Sequence, residues 1–115
     1  MIRDPLRPAP NFGAWEVICE YTDMEDNEPI DFEPYLHILV EVEDPFSGAV
    51  VMTRDRTHGV TTPAPGIIIW TANRGEMGGL RRGTYHVRMS AWIDDQNEAL
   101  PLMDSSVSIV GDLPQ

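Results

Sequence analysis

Six carboxylates are concentrated in residues 21–33, YTDMEDNEPIDFE, and no Lys or Arg accompanies them. Oxygen-bearing side chains recur there at alternate positions, as in the calcium loop of an EF-hand: Asp23, Glu25 and Asn27. The rest of that loop does not fit. Counting from Asp23, the sixth position holds Glu28 instead of the turn glycine, and the twelfth holds Pro34 instead of a bidentate Glu. The spacing therefore indicates an acidic connection between elements and not an EF-hand.

No other group of side chains has the spacing of a known catalytic or metal site. The possible zinc ligands are too far apart in sequence for the close pairs of structural zinc sites; they are Cys19, His37, His58 and His86. No serine lies in a nucleophile elbow, and no glycine-rich segment has a phosphate-binding pattern. Adjacent carboxylates, such as Asp94 with Asp95, fall in turns, where Asp caps backbone N–H groups. We therefore predict a protein that is not an enzyme and that uses no metal or cofactor.

The charge of the chain is both large and segregated. The formal net charge is −11, and all eight basic residues are Arg. Residues 8–53 contain eleven acids and no base, residues 54–88 contain six Arg and two acids, and residues 89–115 contain five acids and no base. Direct nucleic-acid binding is disfavoured, because it requires a positively charged face. Segments of opposite sign are expected to meet within the domain or across copies in an assembly.

The length and the terminal sequences predict one domain with short extensions. A chain of 115 residues suffices for a single hydrophobic core. We predict an extended, Pro-rich arm over residues 1–12, the folded domain over residues 13–111 and a tail over residues 112–115. No apolar run approaches the ~20 residues of a membrane span, and the N-terminus lacks a secretory signal. Synthesis in the cytoplasm is therefore expected.

Alternation of apolar and polar residues predicts short β-strands throughout the chain. Predicted strands cover residues 15–21, 36–43, 50–54, a short stretch around Val60, 67–72, 84–94 and one bent strand or a strand pair over 100–111. The Gly-rich segment over residues 73–83 allows a single helical turn. Leu36 and Ile93 are expected on buried faces, as is Cys19, the only cysteine. These elements predict an all-β protein: a single immunoglobulin-like antiparallel β-sandwich of about six to eight strands.

The three tryptophans fall into two groups. Trp15 and Trp70 lie in apolar strands and are predicted to be core residues. Trp92 shares the opposite face of its strand with His86 and Arg88, so it is exposed unless another part of the chain covers it. An exposed Trp beside an Arg is typical of a binding hot spot. We therefore predict a protein interface with these contact residues: Trp92, Arg81, Arg82 and Arg88, with Glu25, Asp26 and Glu28 as the complementary acidic surface.

The order of these motifs resembles a group of small structural domains of tailed phages, similar to the N-terminal domain of baseplate upper proteins. The resemblance covers about residues 11–110. Its matching motifs are NEPIDF (residues 27–32), Arg54 at the end of a strand, Gly66 before the apolar strand, and Leu80, Gly83 and Tyr85 in a Leu-x-x-Gly-x-Tyr pattern. Two motifs differ: Arg88 stands where the family usually has an acid, and DDQNEA replaces its Gly-bearing turn.

The resemblance implies a non-enzymatic virion structural protein. It would act as an adaptor or attachment module of the tail or baseplate, bind other phage structural subunits and form a homo-oligomer. A capsid decoration or head–tail joining protein is an alternative, and an acidic inhibitor that imitates nucleic acid is another. The Arg-rich centre argues against the last, since such a mimic needs a continuous negative face. The acidic connection is expected to meet Arg residues of a neighbouring copy, a basic subunit of the same particle, or only water.

Overall fold

The protein is described here by a computed structural model that covers residues 1–93 and 99–111. The elements in these residues are β1 (Ala9–Pro10), β2 (Trp15–Glu20), β3 (His37–Glu43), β4 (Val50–Asp55), β5 (Val60–Ala64), β6 (Ile67–Ala72), α1 (Arg74–Met77), β7 (Gly83–Trp92) and β8 (Leu100–Val110). Most of the predicted polar turn DDQNEA, including Asp94 and Asp95, and the predicted tail 112–115 lie outside the described residues.

The strands form two sheets. One has five strands in the order β1-β8-β7-β3-β4, and the other has three in the order β2-β6-β5. All neighbouring strands are antiparallel except β1 and β8, which run parallel. Buried side chains from both sheets make a single hydrophobic cluster. The prediction of an all-β protein with one short helical turn is therefore confirmed.

Local alternation explains which side chains fill this core. In β2 the side chains of Trp15, Val17 and Cys19 are buried and those between them are exposed, the pattern of a strand with one face on the core. Trp70 is fully buried and packs edge-to-face on Trp15, with ring centroids 6.3 Å apart, which confirms both as core residues. Burial also raises the pKa of the Cys19 thiol to about 11, because the thiolate would lose its hydration.

Two residues predicted to be buried are exposed instead. Leu36 is 65% exposed and Ile93 is 41% exposed. Leu36 precedes the first residue of β3, and Ile93 follows the last residue of β7. Both residues therefore lie outside the strands, where the period-2 pattern no longer determines which way a side chain points.

The N-terminal arm runs along β8. The backbone N–H of Ile2 donates to the carbonyl of Leu102 at 3.0 Å, and that of Leu6 donates to the carbonyl of Ser106 at 2.8 Å. Ala9, in β1, is only 1% exposed. The arm is thus the edge of the five-stranded sheet, and it protects the backbone of β8 from further pairing.

Arg54 links the two sheets at the end of β4. It is 3% exposed, and its Nε donates to the carbonyl of Thr71 in β6 at 2.9 Å. Its guanidinium also forms an ion pair with Glu76 of α1. Glu76 in turn completes a capping box with Asn73, in which each side chain accepts from the other residue's backbone N–H. A side chain at Gly59 would collide with this arginine, since an added Cβ would lie 2.5 Å from Arg54 Cδ.

Acidification should weaken this link. The pKa of Glu76 is held below its ordinary value of 4.5, mainly by the hydrogen bond from the Asn73 backbone N–H and further by the positive charge of Arg54. His58 also faces this carboxylate and lowers its pKa. A carboxyl whose pKa is lower in the folded than in the unfolded state stabilises the fold above the unfolded-state value, and this contribution is lost as pH falls through the folded-state value. We expect Glu76→Gln to be less stable than wild type near neutral pH and the difference to shrink below pH 4.5.

Urea denaturation at a series of pH values measures this difference. The exposed Glu25→Gln variant is the matched control, because it removes a carboxylate that makes no ion pair among the described residues. A stability difference between wild type and Glu76→Gln that stays constant down to pH ~3 would contradict the assignment.

Candidate protein-interaction site

Trp92 ends β7 on the outer face of the five-stranded sheet. It lies directly opposite His37, the first residue of β3, and the two rings stack with centroids 5.4 Å apart and an angle of 18° between their planes. With this contact, Trp92 is half-buried. Trp92 is therefore covered in part by His37, which belongs to a neighbouring strand of the same sheet.

A cleft of about 250 Å³ lies beside this aromatic pair. Trp92 and the exposed Leu36 belong to its apolar lining, and the end of β4 and the turn after it contribute Asp55, Arg56 and Thr57. The volume of the cleft is several times the ~30 Å³ that one water molecule occupies in liquid water. It can therefore take part of a side chain, and a mostly apolar wall with a few polar groups is the usual composition of such a binding pocket.

Arg56 forms a fixed wall of the cleft. Its Nε donates to the carbonyl of Tyr35 at 2.8 Å, one terminal nitrogen donates to the carbonyl of Phe32 at 2.6 Å, and the other donates to Thr62 Oγ1 at 2.9 Å. The guanidinium thus holds the end of the acidic connection against β5. Because these bonds already order the side chain, a ligand that contacts it incurs little further entropic cost.

Asp55 supplies negative charge at the same cleft. Its carboxylate accepts hydrogen bonds from the Thr57 hydroxyl at 2.6 Å and from the Thr57 backbone N–H at 2.9 Å. These bonds favour the ionised form and hold the pKa of Asp55 below its ordinary value of 3.8. The cleft therefore combines an aromatic face, an exposed leucine and a carboxylate that stays ionised near neutral pH.

The structure does not gather the predicted arginines around Trp92. Arg88 lies on the same face but forms an ion pair with Glu43 of β3. Arg81 and Arg82 immediately precede Gly83, at the opposite end of β7 from Trp92, and at ~3.3 Å per residue this separation is about 30 Å. Both are exposed, and neither forms an ion pair with another described residue. The predicted contact residues therefore lie on at least two separate surfaces.

The predicted acidic surface is a self-contained loop. Glu25, Asp26 and Glu28 are all exposed. The backbone N–H of Asp23 donates to the carbonyl of Glu28 at 2.8 Å, and the carboxylates of Asp23 and Asp26 accept from backbone N–H groups two residues later. Asp side chains thus stabilise the turn itself. Within residues 1–93 and 99–111, no three His, Cys, Asp or Glu side chains are arranged to hold a metal ion.

This loop lies at the Trp92 end of the molecule. Residues 34–36 connect its last residue, Glu33, to His37, which pairs with Trp92. At its other end, the Tyr21 hydroxyl donates to the carbonyl of Leu102 at 2.8 Å, near the residues of β8 that pair with the end of β7. The cleft and the acidic loop therefore lie at one end, where the carboxylates of the loop and of Asp55 outnumber Arg56, while Arg81 and Arg82 lie at the other.

One exposed aromatic residue was not singled out in the sequence. Phe46, in the turn between β3 and β4, is 99% exposed. Its segment, DPFSG, predicts a turn, and turns are usually polar. The large apolar residue at the tip of this turn was therefore the signal that could have identified it. An aromatic ring that no part of its own fold covers is a candidate anchor for another protein.

Comparisons with known proteins do not assign this site. No protein-family model matches the chain, and no curated protein matches it. None of the helices in the described ranges is long and apolar enough to cross a membrane.

Proposed function

We propose that this protein is a non-enzymatic protein-binding module, and specifically an adaptor or attachment component of the tail or baseplate of a phage particle. The observation that carries the binding role is the cleft beside Trp92, with its half-buried indole, exposed Leu36 and fixed Arg56. Tryptophan and arginine are enriched among residues that dominate protein interfaces. The particle and the virion location are proposed on the motif order of residues 11–110 alone.

We also propose that the two sheets belong to the immunoglobulin-like class of sandwiches. Two sheets sharing one core, in a chain of this length, are compatible with that class. The edge-to-face packing of Trp70 on Trp15 gives this core an aromatic centre.

The charge pattern of the outer sheet face makes the nucleic-acid-mimicking alternative less favourable. Arg88 and His86 lie between carboxylates of the neighbouring strands, and they contact Glu43 and Asp104. A mimic of the phosphate backbone needs an uninterrupted negative surface. The capsid decoration and head–tail joining roles use the same kind of contact, and an electron-microscopy map of the particle would separate them from the tail role.

The test replaces Trp92 by alanine in the phage genome. If the cleft is the attachment site, purified particles should contain about 10- to 30-fold less of the variant than of the wild-type protein, the effect of losing a hot spot of roughly 2 kcal/mol. Quantitative mass spectrometry against the major structural subunits measures this. Trp92→Phe, which keeps a ring over His37, should be partly incorporated.

Ser90→Ala is the matched control, since Ser90 lies two residues earlier on the same face of β7. It should be incorporated like wild type. Free energies of unfolding of the purified variants show whether Trp92→Ala is still folded. A folded Trp92→Ala protein that enters particles at the wild-type level, or a wild-type protein missing from particles, would overturn the proposal.

A further inference from the structure

The turn that carries Phe46 is held by its own hydrogen bonds. The Asp44 backbone N–H donates to the carbonyl of Ala49 at 2.9 Å, and the Gly48 N–H donates to the carbonyl of Asp44 at 2.8 Å. The Phe46 N–H donates to the Asp44 carboxylate at 2.9 Å. Gly48 has a φ of +73°, which an L-residue adopts only with strain. The backbone that presents the ring is thus ordered before any partner binds.

Such a turn has the properties of a binding anchor. Preorganised segments bind more tightly because little conformational entropy remains to be lost. The ring itself makes no described aromatic contact, and a phenylalanine at the tip of a polar turn adds nothing to its own hydrophobic core. Its exposed surface is therefore available to another molecule.

Within one chain, Phe46 cannot reach the cleft beside Trp92. The turn continues from Glu43, which pairs with His86 near the start of β7, whereas His37 pairs with Trp92 at its end. The length of β3 alone separates the two sites by about 20 Å. Anchor and cleft therefore lie at opposite ends of the same pair of strands.

The two ends also carry opposite charge. Arg81 and Arg82 lie at the Phe46 end, exposed and without an ion-pair partner among the described residues, and they outnumber Asp44, the one carboxylate of the Phe46 turn. At the cleft end, the carboxylates of the acidic loop and of Asp55 outnumber Arg56, the arginine that lines the cleft. Opposite charges at the two ends attract one copy to the next in a head-to-tail orientation and repel contacts between like ends.

We propose that copies of this chain associate head to tail, with Phe46 of one copy inserted in the Trp92 cleft of the next. This proposal rests on the function proposed above, in which the cleft is a binding site. It adds that the group bound in the cleft is Phe46 of a second copy. Because the two surfaces of the contact differ, it repeats from copy to copy. It produces a closed ring if the rotation between copies closes, and an open chain if it does not.

Two single variants test this arrangement. Phe46→Ala keeps an intact cleft and Trp92→Ala keeps an intact anchor, so each alone should be monomeric under conditions where wild type associates. Mixed in equal amounts, they should form a heterodimer and nothing larger, because the mixture has one functional anchor and one functional cleft per pair. Sedimentation velocity over a concentration series measures the species present, and the heterodimer should dissociate at least about tenfold less readily than either variant with itself.

Ile18→Ala is the matched control, because Ile18 is a 58% exposed apolar residue on β2, in the other sheet. It should associate like wild type. Phe46 is almost fully exposed, so its removal should not affect folding. Wild-type protein that is monomeric throughout the series, a Phe46→Ala protein that associates like wild type, or a mixture that forms no heterodimer would overturn the proposal.

These results are separable from those for the proposed function. If wild type is monomeric while Trp92→Ala is lost from particles, the head-to-tail contact is wrong and the attachment role stands. If the two variants form the heterodimer while Trp92→Ala enters particles normally, the attachment role is wrong and the head-to-tail contact stands.

Discussion

Replacing Arg54 by leucine is expected to lower the free energy of unfolding by about 3 kcal/mol. The arginine is buried, donates to the carbonyls of Thr53 and Thr71, and pairs with Glu76. Leucine fills part of the space but satisfies none of these acceptors. The expected cost lies at the lower end of the range for broken buried pairs, because the Glu76 side chain is 29% exposed and can regain water.

A double-mutant cycle separates the ion pair from the rest of this effect. Urea denaturation of Arg54→Leu, Glu76→Gln and the double variant should give a coupling energy of about 1 to 2 kcal/mol. Arg81→Leu is the control, since it removes an exposed arginine and should change stability by less than ~0.5 kcal/mol. Additive effects of the two single changes would mean that Arg54 stabilises the fold through its carbonyl contacts alone.

Replacing Trp70 by alanine should cost about 3 to 5 kcal/mol, the usual range for removing a large aromatic side chain from a core. Trp70 is at the centre of the three-stranded sheet, where it pairs with Val17 on one side and Val60 on the other. It is fully buried, and it packs against Trp15. The cavity left by alanine cannot be filled without moving both neighbouring strands.

Trp70→Phe should cost much less, about 1 kcal/mol, the centre of the range for single substitutions. The indole Nε1 of Trp70 is buried and has no hydrogen-bond partner among the described residues. Phenylalanine keeps most of the aromatic contact and removes this unsatisfied donor, so part of the packing loss is offset. Thermal and urea unfolding of both variants measure the difference. A Trp70→Phe variant as unstable as Trp70→Ala would contradict this expectation.

Much of the secondary structure was predictable because it depends on neighbouring residues. The alternation of Trp15, Val17 and Cys19 predicts β2, and the β-branched run Ile67–Ala72 predicts β6 with its observed bounds. The single helical turn after Asn73 was also predictable, since the Gly-rich segment permits nothing longer. The prediction that Leu36 and Ile93 are buried was wrong, because alternation determines the direction of a side chain only inside a strand.

The candidate site was only partly predictable. Its central residue, Trp92, followed from its place on the polar face of a strand. The stacking of Trp92 on His37 did not, because it depends on the pairing of two strands that are 55 positions apart at this point. The separation of Trp92 from Arg81 and Arg82 likewise follows from the direction of β7. Phe46 became a candidate anchor only when the structure showed that its ring is exposed and lies at the end of the sheet away from Trp92.

By itself, the sequence determined the strands, most of the core and the segregation of charge, since each follows from the spacing of residue types along a short segment. The tertiary structure alone decided which strands are neighbours and that the buried Arg54 pairs with Glu76. It also decided that the cleft and the exposed Phe46 lie at opposite ends of the five-stranded sheet. The physical reason is that strand register and side-chain contacts join residues far apart in sequence, and no local pattern encodes those distances.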